Sequence, residues 1–310
     1  MQTVAIIGAG LIGCSWAHVF IRAGWQALVW DPSQKQRDIV TDNISASLED
    51  LERYGLVGNA REAARRVQVV STLDEAVSAA DFVQESGPER LDVKRETFAQ
   101  MDKVACRETV LASSTSAIVA SQFTETLAHR ERCLVAHPVN PPHLVPVVEI
   151  CGAPWTSPQA IARARQVMSD VGQVPVEVKR EIDGFILNRL QVALLTEAFR
   201  LVQEGYVTPH DLDRTIADGL GLRWSFMGPF ETIELNAPGG IADYCERYTP
   251  WFRRYMADLP PSSVWDDANW HRAAAACGSA PSADDIARKS KWRNARLAAL
   301  AAHKRDQAKS

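Results

Sequence analysis

Two side chains that could exchange a proton lie close together in CLVAHPVNPPHLVPVVEIC, residues 133–151: His137 ends one short apolar run and Glu149 sits inside the next. A neutral imidazole suits removal of a proton from an alcohol and its return in the reverse direction. A carboxylate beside it can fix the tautomer and stabilise the imidazolium that forms. The prolines between them stiffen the connection, so a working distance could be held. Each residue alone has a plainer reading: a strand-end histidine of the surface or core, and a glutamate at an exposed alternation position. Two neighbours add weight. SSTSAI, 113–118, ends the preceding strand with hydroxyls, and GFILNRL puts Asn188 near the start of a helix. Ser116 and Asn188 could hold a substrate oxygen opposite the imidazole across a domain cleft. Taken singly, they read as a helix-capping serine and a surface asparagine.

The elements that must position these groups follow from periodicity. TVAIIGAGLIGCSWAHVFIRAGWQALVWD reads as strand, glycine turn, helix and strand, with Gly24 where a helix terminates. RVQVVS, DFVQES, TVLASS, CLVAHP, VVEIC and VPVEVK add short apolar strands, most of them separated by helical stretches. Buried strands alternating with helices predict an α/β fold with a mainly parallel sheet covered on both faces. Residues 34–66 are charged and helical in flavour, long enough for an arm between the second and third strands. Ser157 and Pro158 form a helix start of the N-cap and first-turn-proline kind. From Gly184 onward the pattern is helical, which places the domain boundary at 182/183: residues 1–182 as a nucleotide-binding domain and 183–310 as a helical one. The tail from about Pro281 reads as an exposed amphipathic helix. FILNRLQVALLTEAFRLVQEG bears few charges, as expected of a helix buried between domains or subunits.

Gly8, Gly10 and Gly13 satisfy G-x-G-x-x-G directly after a strand and at the opening of a helix. The first glycine permits the tight turn, the second lets a pyrophosphate approach the backbone, and the third allows the helix to pack on the sheet. Leu11 and Ile12 complete the turn, and the helix N-terminus offers unpaired N–H groups to phosphate. Asp31, at the end of the second strand, is placed to accept hydrogen bonds from a ribose 2′-hydroxyl and would repel a 2′-phosphate, so NAD is expected over NADP. The plainer reading is a glycine turn of some other α/β protein, with Asp31 capping the next helix.

Composition narrows the partners. The chain has 310 residues, 46% of them hydrophobic, and a formal net charge of -4 with both signs dispersed. That leaves no basic stripe for nucleic acid and no polybasic membrane patch, and no run approaches the roughly 18 apolar residues that span a bilayer. The six cysteines lack C-x-x-C spacing, so no metal site is expected and a reducing, cytoplasmic setting fits. A small molecule is the expected partner.

GAGLIG, ESGPERLDVK, SSTSA, HPVNPPHLVPVVEI and GFILNRL, in this order, resemble the L-3-hydroxyacyl-CoA dehydrogenase superfamily along nearly the whole chain. GLGLRWSFMGPFETIELNAPGG, YCERY and KWRNARLAALAAHK are most similar to its lambda-crystallin branch, which includes L-gulonate 3-dehydrogenase, while QESGPERLDVK and LRWSFMG also resemble L-carnitine dehydrogenase. The resemblance implies an N-terminal Rossmann domain that binds NAD and an all-α C-terminal domain that forms a homodimer. By motif, His137 would be the general acid/base and Glu149 its orienting partner, with Ser116 and Asn188 on the substrate oxygen. Glu89 and Lys94 would contact cofactor or line the site, although a solvated helix start accounts for them equally well. Asn140 would lie near the substrate, or else stabilise the proline turn.

Arg223, in GLRWSFMGPFE, bears on the substrate. The acyl-CoA members have a shorter segment there without this arginine, whereas the sugar-acid and carnitine branches carry it. A guanidinium fork suits bidentate capture of a carboxylate, which a free hydroxy acid has and a thioester lacks; an ion pair with Asp218 or Glu231 is the plainer reading. Carnitine-type enzymes lack the asparagine of LNRL, so its presence favours the gulonate side. The arm also has few lysines to clamp a coenzyme A phosphate. The expected activity is NAD-dependent oxidation of the 3-hydroxyl of a small L-3-hydroxy acid, best L-gulonate. A 3-hydroxyacyl-CoA substrate, L-carnitine, and a non-catalytic crystallin-like NAD-binding protein are the competing expectations.

Overall fold

Eight short strands build one sheet in the computed structural model, which describes residues 1–258 and 261–307: β1 (Thr3–Ile7), β2 (Gln26–Trp30), β3 (Val67–Val69), β4 (Phe82–Glu85), β5 (Val110–Ser113), β6 (Cys133–Pro138), β7 (Val147–Gly152) and β8 (Val174–Val178). Their order is β3-β2-β1-β4-β5-β6-β7-β8. Every neighbouring pair is parallel except β6 and β7, which run antiparallel. The strand order reverses beside β1, and in such sheets the crevice at the carboxyl ends of the strands binds the ligand.

Alternating side chains sort onto two cores. Val4, Ile6, Phe82, Ala112, Leu134 and Ala136 join one cluster, and Ala5, Ile7, Val83, Leu111, Val135 and Cys151 join the other. This is what a parallel sheet needs when both faces are covered, because neither face can be left polar. The helix Leu11–Arg22 buries Trp16, Ala17, Val19 and Phe20, and Gly24 adopts φ +90 just beyond its end. Pro158–Asp170 begins as its sequence predicts, with the Ser157 side chain accepting from Ala160 N.

Residues 34–66 are helical between β2 and β3, as their sequence predicts. The helix Gln34–Arg53 buries Val40, Ile44, Leu48 and Leu51, spaced by about one turn, in the first core cluster. A charged outer surface conceals that stripe in the composition.

The chain divides into two compact units, residues 1–188 with 283–310, and residues 189–282. This differs from a helical domain running over 183–310, because the final helix, Ala283–Gln307, belongs with the sheet. Ala298 is buried in the first core cluster with Leu297 packed against it, and Arg305 binds the carbonyl of Gly55. The tail is therefore a helix docked at Ala298 and Arg305 with most of its residues exposed. The second unit is all helical among its described residues, including Pro209–Arg214, Pro229–Glu234 and Gly240–Met256. No helix among the described residues is long and apolar enough to cross a membrane.

Candidate active site

The register of β6 on β7 sets His137 directly opposite Glu149. Opposed residues of an antiparallel pair point to the same face, with their Cβ atoms roughly 5 Å apart. The imidazole Nδ1 and Glu149 Oε2 consequently meet at 2.8 Å, and both side chains are buried. The other carboxylate oxygen, Oε1, accepts from Ile186 N at 2.9 Å and Leu187 N at 3.0 Å, the unpaired amides at the start of the helix Leu187–Gln203.

Burial works to raise the Glu149 pKa. The hydrogen bonds from His137, Leu187 and Ile186 together outweigh it and hold the carboxyl below its ordinary value. An ionised carboxylate can only accept, so the proton of this contact belongs to Nδ1, and in the neutral form of the ring Nε2 is the atom that takes a proton from a ligand. Phe185 packs its ring on His137 with centroids 5.4 Å apart. Gly184 and Phe185 both have positive φ, +76 and +48. For a bulky side chain that conformation is strained, and it delivers the two following amides to Glu149.

The neighbouring strand ends are also polar on this face. Glu85 of β4 pairs in register with Ser113 of β5. Glu85 accepts from Gly87 N at 2.6 Å and from Ser113 Oγ at 2.5 Å, and it is ion-paired with Lys94 Nζ at 3.0 Å. Glu89 binds the loop that follows, accepting from Thr115 Oγ1 and, at 3.2 Å, from Ser116 N. Asn188 Nδ2 donates to Ser116 O at 3.0 Å, joining the serine loop to the helix that caps Glu149.

The glycine turn fits a dinucleotide. A Cβ at Gly13 would lie 1.8 Å from Gly8 O, so only glycine allows the helix this close to the turn. Gly8 has φ +106, and a Cβ there would meet Ser86 O at 2.7 Å. A Cβ at Gly10 would have no atom within 4 Å, which leaves the backbone open to a phosphate. Asp31 Oδ2 accepts from Ala9 N and Oδ1 from Ser33 N, each at 2.8 Å, which orients the carboxylate at the end of β2 with lone pairs left for a ribose. Gly8, Gly10, Asp31, Ser86 and Gly87 line a groove of about 530 Å³. Among the described residues there is no cluster of His, Cys, Asp and Glu that could hold a metal ion, and all six cysteines are free thiols.

The sheet-containing unit thus brings together His137, Glu149 and Phe185, and links Ser116, Asn188 and Glu89. Lys94, expected to contact cofactor or line the site, is buried against Glu85 and Ser113. Leu11 is 85% exposed, and Asn140 is exposed on the loop after β6. Arg223 is exposed on the short helix Gly221–Trp224 of the other unit, after the π-helical turn Thr215–Leu220. Asp218 lies 3.8 Å from Arg214, and Glu231 accepts from Gly228 N, so both carboxylates considered for Arg223 have other partners. Sequence reasoning missed Glu85, Ser113 and Phe185. The first two were visible as polar endings of apolar strands, whereas nothing marks a phenylalanine that takes a left-handed backbone.

Comparison with known proteins agrees with this construction. Residues 3–182 match the model of the 3-hydroxyacyl-CoA dehydrogenase NAD binding domain, and residues 184–268 match that of the 3-hydroxyacyl-CoA dehydrogenase C-terminal domain. The lambda-crystallin homolog of Mus musculus is 40% identical over 296 residues, covering 94% of this chain and 92% of its own. L-carnitine dehydrogenase of a Pseudomonas species is 38% identical over 261 residues, covering 84% and 81%. Among solved structures, FHMPC 5-dehydrogenase, an NAD+-dependent dismutase acting on a pyridine carboxylic acid, superposes with a TM-score of 0.85 at 26% identity, covering 97% of each chain. The chain belongs to the 3-hydroxyacyl-CoA dehydrogenase family, on its lambda-crystallin branch, and is an NAD-dependent dehydrogenase of the hydroxy acid and hydroxyacyl class.

Proposed function

We propose that this enzyme oxidises the 3-hydroxyl of a small, free L-3-hydroxy acid to the 3-keto acid, with L-gulonate the leading candidate. The observation that carries the reading is the buried 2.8 Å contact between His137 Nδ1 and an ionised Glu149. It leaves Nε2 as a proton acceptor in one fixed tautomer, which is the requirement for a general base on an alcohol. NAD, when bound, supplies the ring that accepts the hydride. His137 takes the hydroxyl proton as the carbon loses hydride, and Glu149 stabilises the imidazolium. Ser116 and Asn188 hold the developing carbonyl oxygen opposite the imidazole, and Asn140 borders the substrate. Gly8, Gly10, Leu11, Ile12 and Gly13 hold the pyrophosphate, Asp31 the ribose, and Glu89 and Lys94 shape the cofactor side.

Arg223 is assigned the substrate carboxylate. Its exposed guanidinium supports this role, as do relatives named for carnitine and for a pyridine carboxylic acid, both of which carry a free carboxylate. His137→Gln with wild-type NADH binding should lose ~10²–10⁴ of turnover, and near-normal turnover would end the mechanism. L-gulonate, 3-hydroxybutyrate, L-carnitine and 3-hydroxybutyryl-CoA compared in one NADH-absorbance assay identify the substrate; a preference for the thioester would replace the free-acid reading.

The same reading includes a homodimer formed through the helical unit. The helix Leu187–Gln203 buries no residue of its own, and Leu190, Phe226, Phe230 and Leu235 are 64–75% exposed, apolar side chains available to a partner subunit. Sedimentation showing a monomer at micromolar concentration would exclude it. The six free thiols agree with a cytoplasmic, reducing setting.

A further inference from the structure

Lys94 and Glu85 form an ion pair that is almost completely withdrawn from water, with 1% and 2% of their side chains exposed. Lys94 Nζ reaches Glu85 Oε1 at 3.1 Å and Oε2 at 3.0 Å, and Ser113 Oγ at 3.4 Å. Such a pair seldom stabilises a fold more than apolar residues of the same volume would, because two charges must be desolvated. Its geometry offers a different reason for its presence. Glu85 Oε1 accepts the amide of Gly87, in the segment that lines the dinucleotide groove. Glu85 Oε2 accepts the hydroxyl of Ser113, whose oxygen in turn accepts Thr115 N at 3.2 Å. Thr115 and Ser116 are then held by Glu89. One buried carboxylate, fixed by one buried ammonium, therefore joins the loop after β4 to the loop after β5.

We infer that Lys94 and Glu85 are positioning residues that lock the cofactor-lining loop to the serine loop, so that Ser116 stands at reaction geometry when the dinucleotide is seated. The inference rests on the proposed role of Ser116 as a partner of the substrate oxygen. Lys94 acts through Glu85, and Glu85 acts through Ser113 and Gly87. A loss of the pair therefore lowers turnover by misplacing Ser116, and does so only while Ser116 has a hydroxyl to misplace.

Lys94→Met alone would strand a buried carboxylate, so the test uses the neutral, near-isosteric pair Glu85→Gln with Lys94→Met, together with Ser113→Ala, which removes a single hydroxyl. Each is made in the wild-type and in the Ser116→Ala background, and kcat, KM for the hydroxy acid and NADH affinity by fluorescence are measured. In the wild-type background each should lower kcat ~10–10²-fold, the scale of an ångström-sized misplacement. NADH affinity should change less than about threefold in Ser113→Ala, whose hydroxyl lies outside the groove; Glu85 lines the groove, so the double variant is read by kcat at saturating NAD. In the Ser116→Ala background the same changes should lower kcat less than about twofold, the non-additivity of residues that act as a unit. Equal losses in both backgrounds would show a merely structural pair and overturn the inference, as would a loss confined to NADH affinity. Wild-type kcat in Ser116→Ala alone would remove the role of Ser116, a failure seen directly in that one variant, and the inference would fall with it.

Discussion

The two units treat their apolar residues in opposite ways. In the sheet-containing unit, Trp16, Phe20, Phe82, Phe98 and Phe185 are fully buried, and the charges that go inside do so in pairs: Lys94 with Glu85, Arg132 with Asp102, His137 with Glu149. In the helical unit, Leu190, Phe226, Phe230, Leu235 and Trp251 are at least half exposed, and Thr232, Ala237, Val264 and Ala273 are the buried residues among those described. A unit with its own core can place ionisable groups to a fraction of an ångström because tightly packed neighbours resist displacement. A unit of amphipathic helices with little core of its own is suited to presenting surface to another molecule. The difference suits the first unit to precise positioning and the second to surface contact.

Five substitutions sharpen or break this division. The largest effect is expected at the paired charges of the sheet unit: Glu149→Gln should cut turnover ~10²–10⁴-fold while the far-ultraviolet spectrum is unchanged, since the amide no longer stabilises an imidazolium. Retained turnover would mean that burial there serves packing alone. Next comes packing itself. Phe20, ringed by Trp25 at 5.2 Å, Phe82 at 6.0 Å and Trp16 at 6.2 Å, should lose about 3–5 kcal/mol of stability on conversion to Ala by denaturant titration. Phe230→Ala in the helical unit should cost under about 0.5 kcal/mol per subunit and weaken self-association instead; equal costs would erase the contrast.

A smaller effect belongs to His18, fully buried with Nε2 bonded to the carbonyl of Ile44 at 3.0 Å. Burial lowers its pKa from 6.5 to about 4. The folded state therefore binds fewer protons than the unfolded one between those values, so stability is full above pH 6.5 and falls as the pH drops toward 4. From pH 7 to pH 5 the share of His18 should be about 2 kcal/mol, and His18→Gln should remove that share while leaving the loss due to neighbouring His143, whose pKa burial lowers to about 3, when both proteins are titrated with denaturant. The smallest effect tests recognition. Arg223→Lys should raise KM for a free hydroxy acid about tenfold with little change in kcat, because a point charge replaces a two-pronged donor; an unchanged KM would detach Arg223 from the substrate.

What the sequence disclosed depended on how local each feature is. The glycine turn, Asp31 and the strand-helix alternation depend on neighbours in the chain, and they stand where the periodicity placed them. The His137–Glu149 pair was legible as two candidates, but the reason they meet is the antiparallel register, not the stiffness of the prolines. Glu85–Lys94 could not be read, because Lys94 has the spacing of a solvated helix residue and shows its burial only once β4 and β5 lie beside its helix. The docking of Ala283–Gln307 was hidden for a similar reason: its buried residue is a single alanine, Ala298, which carries little hydrophobic signal.

Because cross-strand register holds the imidazole to its carboxylate, the segment 139–146 does not itself set their distance; it is anchored separately, with Leu144 in the first core cluster and the His143 carbonyl accepting from Arg22 at 2.7 Å. A single deletion inside either strand would break the pair: side chains alternate faces, so a one-step slip would send one partner through to the far core.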